Sequence, residues 1–420
     1  MHIYFSGIGG TAIGPLALIA KQAGYTISGS DKQDSQYINY LKKHGISQIH
    51  ISQTKEQIEK VHQKQPIDWF VYTSALPLEN PNAPELLFCK EHNVKTSKRD
   101  ELLNQIIKDK KLKMIAIAGT HGKTTTTAMA IWLLKRIGLP ISYSVGAKIS
   151  FGEMGQYVAD SKYFIYEADE FDRNFLHFKP FISIISGIDY DHPDIYPTRE
   201  DYYEAFNIFL NQSQNIVAHA NDMIKIGRKI QNEQVDLNKI KLIGEVNRKN
   251  AQLVVEAVSK ISDEPINSLI TKINQFPGVS RRFEQITNNL LSDYAHTPEK
   301  IKGALQIASE VAGKNVVVVY EGLHNTRQHF IKNELKNLFD DVKKLYIVPS
   351  YLAREDKSLE LLTPEKLVKL TANSGNATPM KLDNNLKTTI SKHLNNGDLV
   401  LCLTAGGGGS LDEWLRLNFK

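Results

Sequence analysis

Cysteine is nearly missing: Cys89 and Cys402 are the only two in 420 residues. A pair so far apart, without metal-ligand spacing, excludes a disulfide scaffold and a zinc site and suits a reducing compartment. An excess of one charge is also lacking. The 51 basic residues against 46 acidic leave a net charge of +5, and no basic stripe with interleaved aromatics stands out, so a nucleic-acid binder is not expected. No window holds the roughly 18–20 apolar residues needed to cross a bilayer. The opening MHIYFSGIGG has neither a basic n-region nor a long apolar h-region, so no signal peptide is read. The expectation is a soluble, cytoplasmic protein. There is no GxSxG elbow and no plausible catalytic cysteine, and no short repeat or low-complexity tract. What the chain does have is length and 41% hydrophobic content, enough for two to four domains with separate cores.

The most informative segment is Met114 to Thr126, MIAIAGTHGKTTT. Met114 to Ala118 is a short continuous apolar run, as a buried parallel strand requires. Gly119 and Gly122 allow the backbone to turn its N–H groups inward, with Thr120 and His121 between them. Lys123 adds a mobile positive charge, Thr124 offers a hydroxyl to a magnesium ion, and Thr125 continues the turn. Ala128 to Leu134 then reads as an apolar helix, whose N-terminus favours anions. The spacing departs from a Walker motif, which has four residues between its first glycine and the Gly-Lys pair. The expectation is a triphosphate cradle.

A second glycine turn, GIGGTAIG over residues 7 to 14, follows the apparent strand His2 to Ser6 and precedes a helical stretch from Pro15 to Ala23. Gly7 and Gly9 match the dinucleotide fingerprint, and Ala12 stands at the third glycine. Gly10 and Thr11 complete the turn, and the strand Tyr25 to Ser30 ends at Asp31. A diphosphate at the helix N-terminus is the general reading, which NAD or a UDP-sugar fits equally. A dehydrogenase would use Asp31 on an adenosine ribose, but it needs no second nucleotide site with a phosphate-loop lysine.

Apolar strands at Tyr163 to Tyr166 and Ile182 to Ile185 each lead into an acidic loop, YEADEFD and IDYDHPDIY. Loops at the C-terminal ends of parallel strands are where α/β sheets bind ligands. Four carboxylates packed within residues 166–172 call for a cation, and Glu167 at the strand end is the main metal candidate. His192 sits in a DH pair at the next strand end. The charged run ending in KDKKLK marks a first hinge, and FPGVSRR, residues 276–282, a second. The division expected is 1–108, 109–278 and 279–420. Strands at Val316 to Tyr320, Lys344 to Val348 and Asp398 to Leu403 give the last segment an α/β pattern. The fold class is α/β in three domains: Rossmann-like, a central P-loop ATPase-type parallel sheet, and a second Rossmann-like domain.

GTHGKTTT, with EADE, FLHFKP, VSRRFE and SDYAHTP, resembles the Mur ligases, ATP-dependent enzymes that join amino acids to the peptidoglycan precursor, over nearly the whole chain. The resemblance implies that the first domain holds the UDP portion of UDP-N-acetylmuramate, through Gly7, Gly9, Gly10, Thr11, Asp31 and Ser74. It implies ATP and Mg2+ on the middle domain, with Lys123, Glu167 and His192 as the catalytic set and Thr124, Glu167 and His192 as metal ligands. Asn247 and Asn250 are similar to the family's HNxxN segment, and the same residues also suit helix capping. Arg282 and Asp293 are implied as nucleotide contacts, and His296 and Arg327 as groups on the amine side. The amine implied is L-alanine, or the tripeptide L-Ala-D-Glu-diaminopimelate, because YEGLHNTR, residues 320–327, resembles the tripeptide-recycling members. Val246, Ser292, Thr297 and His324 depart from the family pattern, which keeps a catalytically impaired nucleotide-binding relative in view. The assembly expected is a monomer or homodimer.

Overall fold

The computed structural model describes residues 1–420 except 12, 74–75, 78–79, 193–194, 231–234, 353–354, 357, 372–373, 407–408 and 420. Among the described residues three α/β sheets form, in agreement with the fold class expected. The first holds β1 (His2–Ser6), β2 (Thr26–Ser30), β3 (Ile49–His50), β4 (Trp69–Tyr72) and β5 (Lys95–Lys98). Its order is β3-β2-β1-β4-β5, parallel throughout. The second holds β6 (Lys113–Ala118), β7 (Ile141–Ser144), β8 (Gly155–Gln156), β9 (Tyr163–Glu167), β10 (Ile182–Ile185) and β11 (Asn215–Ala218). Its order is β11-β10-β6-β9-β7-β8, parallel except for the β7–β8 edge pair. The third holds β12 (Glu284–Thr287), β13 (Leu290–Asp293), β14 (Val316–Leu323), β15 (Lys344–Tyr351), β16 (Ala377–Pro379) and β17 (Leu399–Leu403). Its order is β12-β13-β17-β14-β15-β16, with β12 alone antiparallel.

By compactness the chain forms one unit from residues 1–240 with 250–276, and another from 241–249 with 277–420. In the first unit, β1 is buried along its whole length and the helix Ile13–Gln22 buries every residue from Ile13 to Ala20. Central parallel strands are covered on both faces, which is why these runs are continuously apolar instead of alternating. Met114 to Ala118 of β6 are buried in the same way, and the helix Lys123–Arg136 buries Ala128 to Ile131, Leu133 and Leu134. The helix Arg199–Asn211 is started by a capping box between Thr198 and Asp201, and it packs Phe206 and Phe209 on Phe175. The charged run expected as the first hinge begins in the last turn of the helix Arg99–Asp109, which buries Leu102, Leu103 and Ile106, and ends at Lys113, already the first residue of β6.

In the second unit all eight residues of β14 are buried, including Glu321. The strand runs past Tyr320, where the apolar pattern stops. Glu321 is tolerated because its carboxylate accepts the backbone N–H of Ala405 at 3.0 Å and of Leu411 at 2.9 Å, satisfying a buried charge that would otherwise be costly. It thereby ties β14 to the chain leaving β17. Cys89 and Cys402 are both buried and unbridged, as packing residues are. No helix among the described residues is long and apolar enough to cross a membrane.

Candidate active site

The phosphate loop leaves β6 at Gly119 (φ 138°) and enters the helix Lys123–Arg136 through Gly122 (φ 75°). A side chain at Gly119 would place its Cβ 2.6 Å from Ser186 Oγ and 2.8 Å from the Gly187 carbonyl oxygen. Only glycine therefore fits there on both backbone and steric grounds. Gly122 is the N-cap and offers no side chain to the first turn, which leaves helix N–H donors for an anion. Thr120 is a brace for this loop. Its N–H donates to Gly187 O at 2.8 Å, and its hydroxyl donates to Asp189 O at 2.6 Å and meets Tyr202 Oη at 2.7 Å. Both of its donors are committed within the fold. His121 Nε2 lies 3.5 Å from Asp189 Oδ2. That histidine, against some desolvation and together with Lys225, pulls the Asp189 carboxyl down to about 2.

Lys123, with 15% of its side chain exposed, donates to Gly119 O at 2.8 Å and to Glu170 Oε2 at 2.6 Å. Burial works against its charge, but Glu170, Asp169 and Glu167 outweigh it and the lysine pKa is raised. Thr124 donates its hydroxyl to Glu167 Oε1 at 2.7 Å, and Glu167 Oε2 accepts the Gly146 N–H at 2.8 Å. His192, with φ 57°, points Nε2 to within 3.6 Å of Glu170 Oε1. Desolvation opposes its protonation, and the carboxylates of Glu170, Asp191 and Asp169 more than compensate, so its pKa is raised. Glu170 thus links Lys123 to His192, while Glu167, bonded to Thr124, supports the charge of the same lysine. The backbone of Thr125 lies in the helix's first turn.

Glu170 is the member that the sequence reading did not single out. It is 1% exposed, and burial alone would raise its carboxyl, yet Lys123 and His192 bring it down to about 2. In a run of four acidic residues nothing in the sequence tells which carboxylate turns inward. Among the described residues no group of three or more His, Cys, Asp or Glu side chains converges as a metal site. The Thr124–Glu167 oxygens, at a phosphate loop, are nevertheless the number and kind of protein donor that magnesium takes when phosphates and waters complete its shell. Asn250 is 2% exposed, its amide nitrogen has no hydrogen-bond partner among the described residues, and it lies against Gly122. Asn247 instead donates to Ile243 O at 2.8 Å, a local capping contact.

In the first sheet the glycine turn is closed by Asp31, whose Oδ2 accepts the Gly9 N–H at 2.8 Å, while Ser30 O accepts from Gly7 and Ile8. Gly10 donates to Gly7 O at 3.0 Å, and Thr11 is exposed. Glu85, also missed from sequence because it reads as an ordinary acid in a helix's first turn, is buried behind this turn. It accepts hydroxyls from Tyr4 (2.9 Å), Ser6 (2.6 Å) and Ser30 (2.5 Å). Ser74 lies outside the described residues.

In the second unit Asp293 accepts the Phe283 N–H at 2.7 Å, and burial pushes its carboxyl up to about 6 in spite of Arg282. Arg282 lies 5.3 Å from the centre of the Tyr294 ring. His296 is buried, donates from Nδ1 to Tyr294 O at 3.0 Å, and has its pKa driven well down by desolvation and by Lys300 and Arg327. Arg327 stands in the first turn of the helix Asn325–Leu335.

Comparison with known proteins decides what family builds this arrangement. Residues 2–111 match the Mur ligase family, catalytic domain, and residues 117–266 match the Mur ligase middle domain. The chain belongs to the Mur ligase family. Members are ATP-dependent acid–amino-acid ligases, and this Mur ligase is an enzyme of that class. It is 29% identical to the UDP-N-acetylmuramate--L-alanine ligase of Clostridium perfringens, over 96% of this chain and 95% of that protein. It is 30% identical to the ligase of the same name from Clostridium beijerinckii, again over 96% and 95%. In structure it resembles the UDP-N-acetylmuramate-alanine ligase MurC of Thermotoga maritima, with TM-score 0.75 and 22% identity, covering 99% of this chain and 98% of that one. A murein peptide ligase from Psychrobacter arcticus follows at TM-score 0.65 and 20% identity, covering 99% of each.

Proposed function

We propose that this Mur ligase joins L-alanine to the carboxylate of UDP-N-acetylmuramate at the expense of ATP. The observation that carries the reading is the phosphate-loop cluster, Lys123 beside the Thr124–Glu167 pair at an uncapped helix N-terminus. The names of relatives matched over nearly the whole chain support the substrates. A carboxylate and an amine do not condense unaided in water, because the carboxylate oxygen is a poor leaving group. One carboxylate oxygen therefore attacks the γ-phosphorus in line, ADP departs, and an acyl phosphate forms. The amine then attacks the acyl carbon, phosphate leaves with the C–O bonding pair, and the amine nitrogen gives up a proton.

Lys123 holds the transferring phosphoryl group, and the loop N–H groups hold its oxygens. Thr124 and Glu167, with His192, would hold Mg2+. When bound, the cation supplies the positive charge that lets one anion approach another. Asn250 and Asn247 are assigned to the nucleotide, with Arg282 and Asp293. The first glycine turn, Asp31 and Ser74 are assigned to the UDP group, and His296 and Arg327 to the amine side. The domains carrying these roles are taken as 1–108, 109–278 and 279–420, each holding one sheet.

A second reading, addition of the tripeptide, is favoured by YEGLHNTR, where His324 and Leu323 stand at the positions of an arginine and a histidine in alanine-adding members. Measuring ADP release with ATP, UDP-N-acetylmuramate and either L-alanine or the tripeptide separates the two. Stimulation by neither amine would sink both.

A further inference from the structure

Arg99, which the sequence did not single out, opens the helix Arg99–Asp109 directly after β5. Its side chain is 23% exposed and lines a cavity of about 230 Å3 shared with Thr11, Lys123, Gly146, Glu167 and Asp169. Among the described residues its one ion pair is to Asp169, at 3.9 Å, beyond hydrogen-bonding range. Elsewhere in the chain an arginine that serves structure is bonded tightly: Arg416 reaches Glu284 at 2.6 and 3.1 Å. A guanidinium carries five N–H donors in a planar fork, stays charged at every working pH, and is costly to enclose without acceptors. Asp169, Asp100 and Glu167 support its charge against burial, yet among the described residues no carboxylate accepts a hydrogen bond from the fork, which leaves its donors for an incoming oxyanion.

The position of the cavity says which anion. It runs from Thr11, in the glycine turn of the first sheet, to Lys123 and Glu167 of the phosphate loop. A sugar nucleotide held by that turn and activated at that loop must pass its acid group between them. Lys123 is already engaged by Glu170 and Gly119 O, whereas among the described residues the Arg99 fork has no hydrogen-bonded carboxylate. Resting on the function proposed above, we infer that Arg99 receives the carboxylate of the acid substrate and so selects a carboxylate-bearing sugar nucleotide over one lacking that group. Arg99 forms and breaks no covalent bond. It binds the carboxylate oxygens and leaves a lone pair on one of them for the attack on phosphorus.

The test compares UDP-N-acetylmuramate with UDP-N-acetylglucosamine, the same diphosphate and sugar without the lactyl acid, by titration calorimetry on wild type, Arg99→Met and Arg99→Lys. Arg99→Met is expected to weaken UDP-N-acetylmuramate by roughly 10–100-fold, the loss of a charged hydrogen-bonded contact. UDP-N-acetylglucosamine binding and the KM for ATP are expected to stay unchanged, and Arg99→Lys to recover part of the loss. Equal weakening of both sugar nucleotides would assign Arg99 to the diphosphate and overturn the inference, as would a preference undiminished in both variants. If Arg99→Met does not fold, full wild-type discrimination by Arg99→Lys overturns it alone. Wild-type protein that discriminates between the two ligands not at all overturns this inference and the proposed function together.

Discussion

Lys123 Nζ and Glu170 Oε2 meet at 2.6 Å inside the protein, with the lysine side chain 15% and the glutamate 1% exposed. The phosphate-loop lysine is therefore held in place before any nucleotide arrives, by a carboxylate that keeps its charge because the lysine is there.

Removing that carboxylate leaves an enclosed ammonium with a weaker partner, Asp169 at 3.9 Å. Glu170→Gln is expected to cost about 3 kcal/mol of stability, as breaking one side of a buried pair does. The pH dependence has a definite sign. Glu170 is depressed from 4.5 to about 2, so its contribution is whole above about pH 4.5 and is lost as pH falls toward 2. Denaturation midpoints of wild type and variant should accordingly converge between pH 4.5 and 2. A gap that stayed constant across that interval would count against the pair.

Gly119→Ala tests whether the loop geometry is required. The new Cβ would sit 2.8 Å from a backbone oxygen, Gly187 O, at φ 138°, so neither neighbour nor backbone can give cheaply. A loss of about 2–3 kcal/mol is expected, the scale of a backbone outlier combined with overpacking. ADP release should fall by more than tenfold even where the variant stays folded. Wild-type turnover in a folded variant would show that the turn is not the cradle.

The loop, its strand and its helix were legible in the sequence because local rules coincide there: an apolar run, glycines where φ is positive, and a lysine at the helix start. The central strands of the three sheets were legible for the same reason, since parallel strands buried on both faces leave continuous apolar runs, whereas edge strands such as β5, KTSK, and β12, EQIT, are polar and half-exposed and carry no such signal. What sequence could not show is which polar residues turn inward. Glu170 and Glu85 look like solvated acids, and Glu85 is recognisable only once β1 and β2 bring Ser6 and Ser30 together. Arg99 sits among Lys98, Asp100 and Glu101 and reads as surface charge, because the cavity that it lines is made by segments far apart in the chain. Thr120 was grouped with the phosphate contacts by its place in the motif, but its donors go to Gly187 and Asp189.

Asp293 offers a stability test of the opposite sign. Burial raises its carboxyl from 3.8 to about 6, so ionising it opposes folding. The penalty is absent below about pH 3.8, grows as pH rises to about 6, and stays above that, reaching on the order of 2–3 kcal/mol. Asp293→Asn keeps an acceptor for the Phe283 N–H and removes the ionisation. The variant is expected to be more stable than wild type at pH 8 and equal to it at pH 3.5, as read from denaturation midpoints. Its KM for ATP should rise if Asp293 serves the nucleotide.

Glu167 separates metal binding from nucleotide binding. Its two oxygens are shared between the Thr124 hydroxyl and the Gly146 N–H, so Glu167→Gln can keep the acceptor toward Gly146 while removing the charge. A neutral amide is a much poorer partner for a hard dication than a carboxylate. The Mg2+ concentration giving half-maximal ADP release should therefore rise at least tenfold, while the affinity for ATP without metal changes little, because Lys123 and the loop N–H groups are untouched. Thr124→Val provides the matching arm, since it removes the other oxygen and keeps the side-chain volume. If each variant raises the Mg2+ requirement and the double variant raises it no further, the two oxygens act on one ion. Unchanged Mg2+ dependence in both single variants would move the cation site away from this pair.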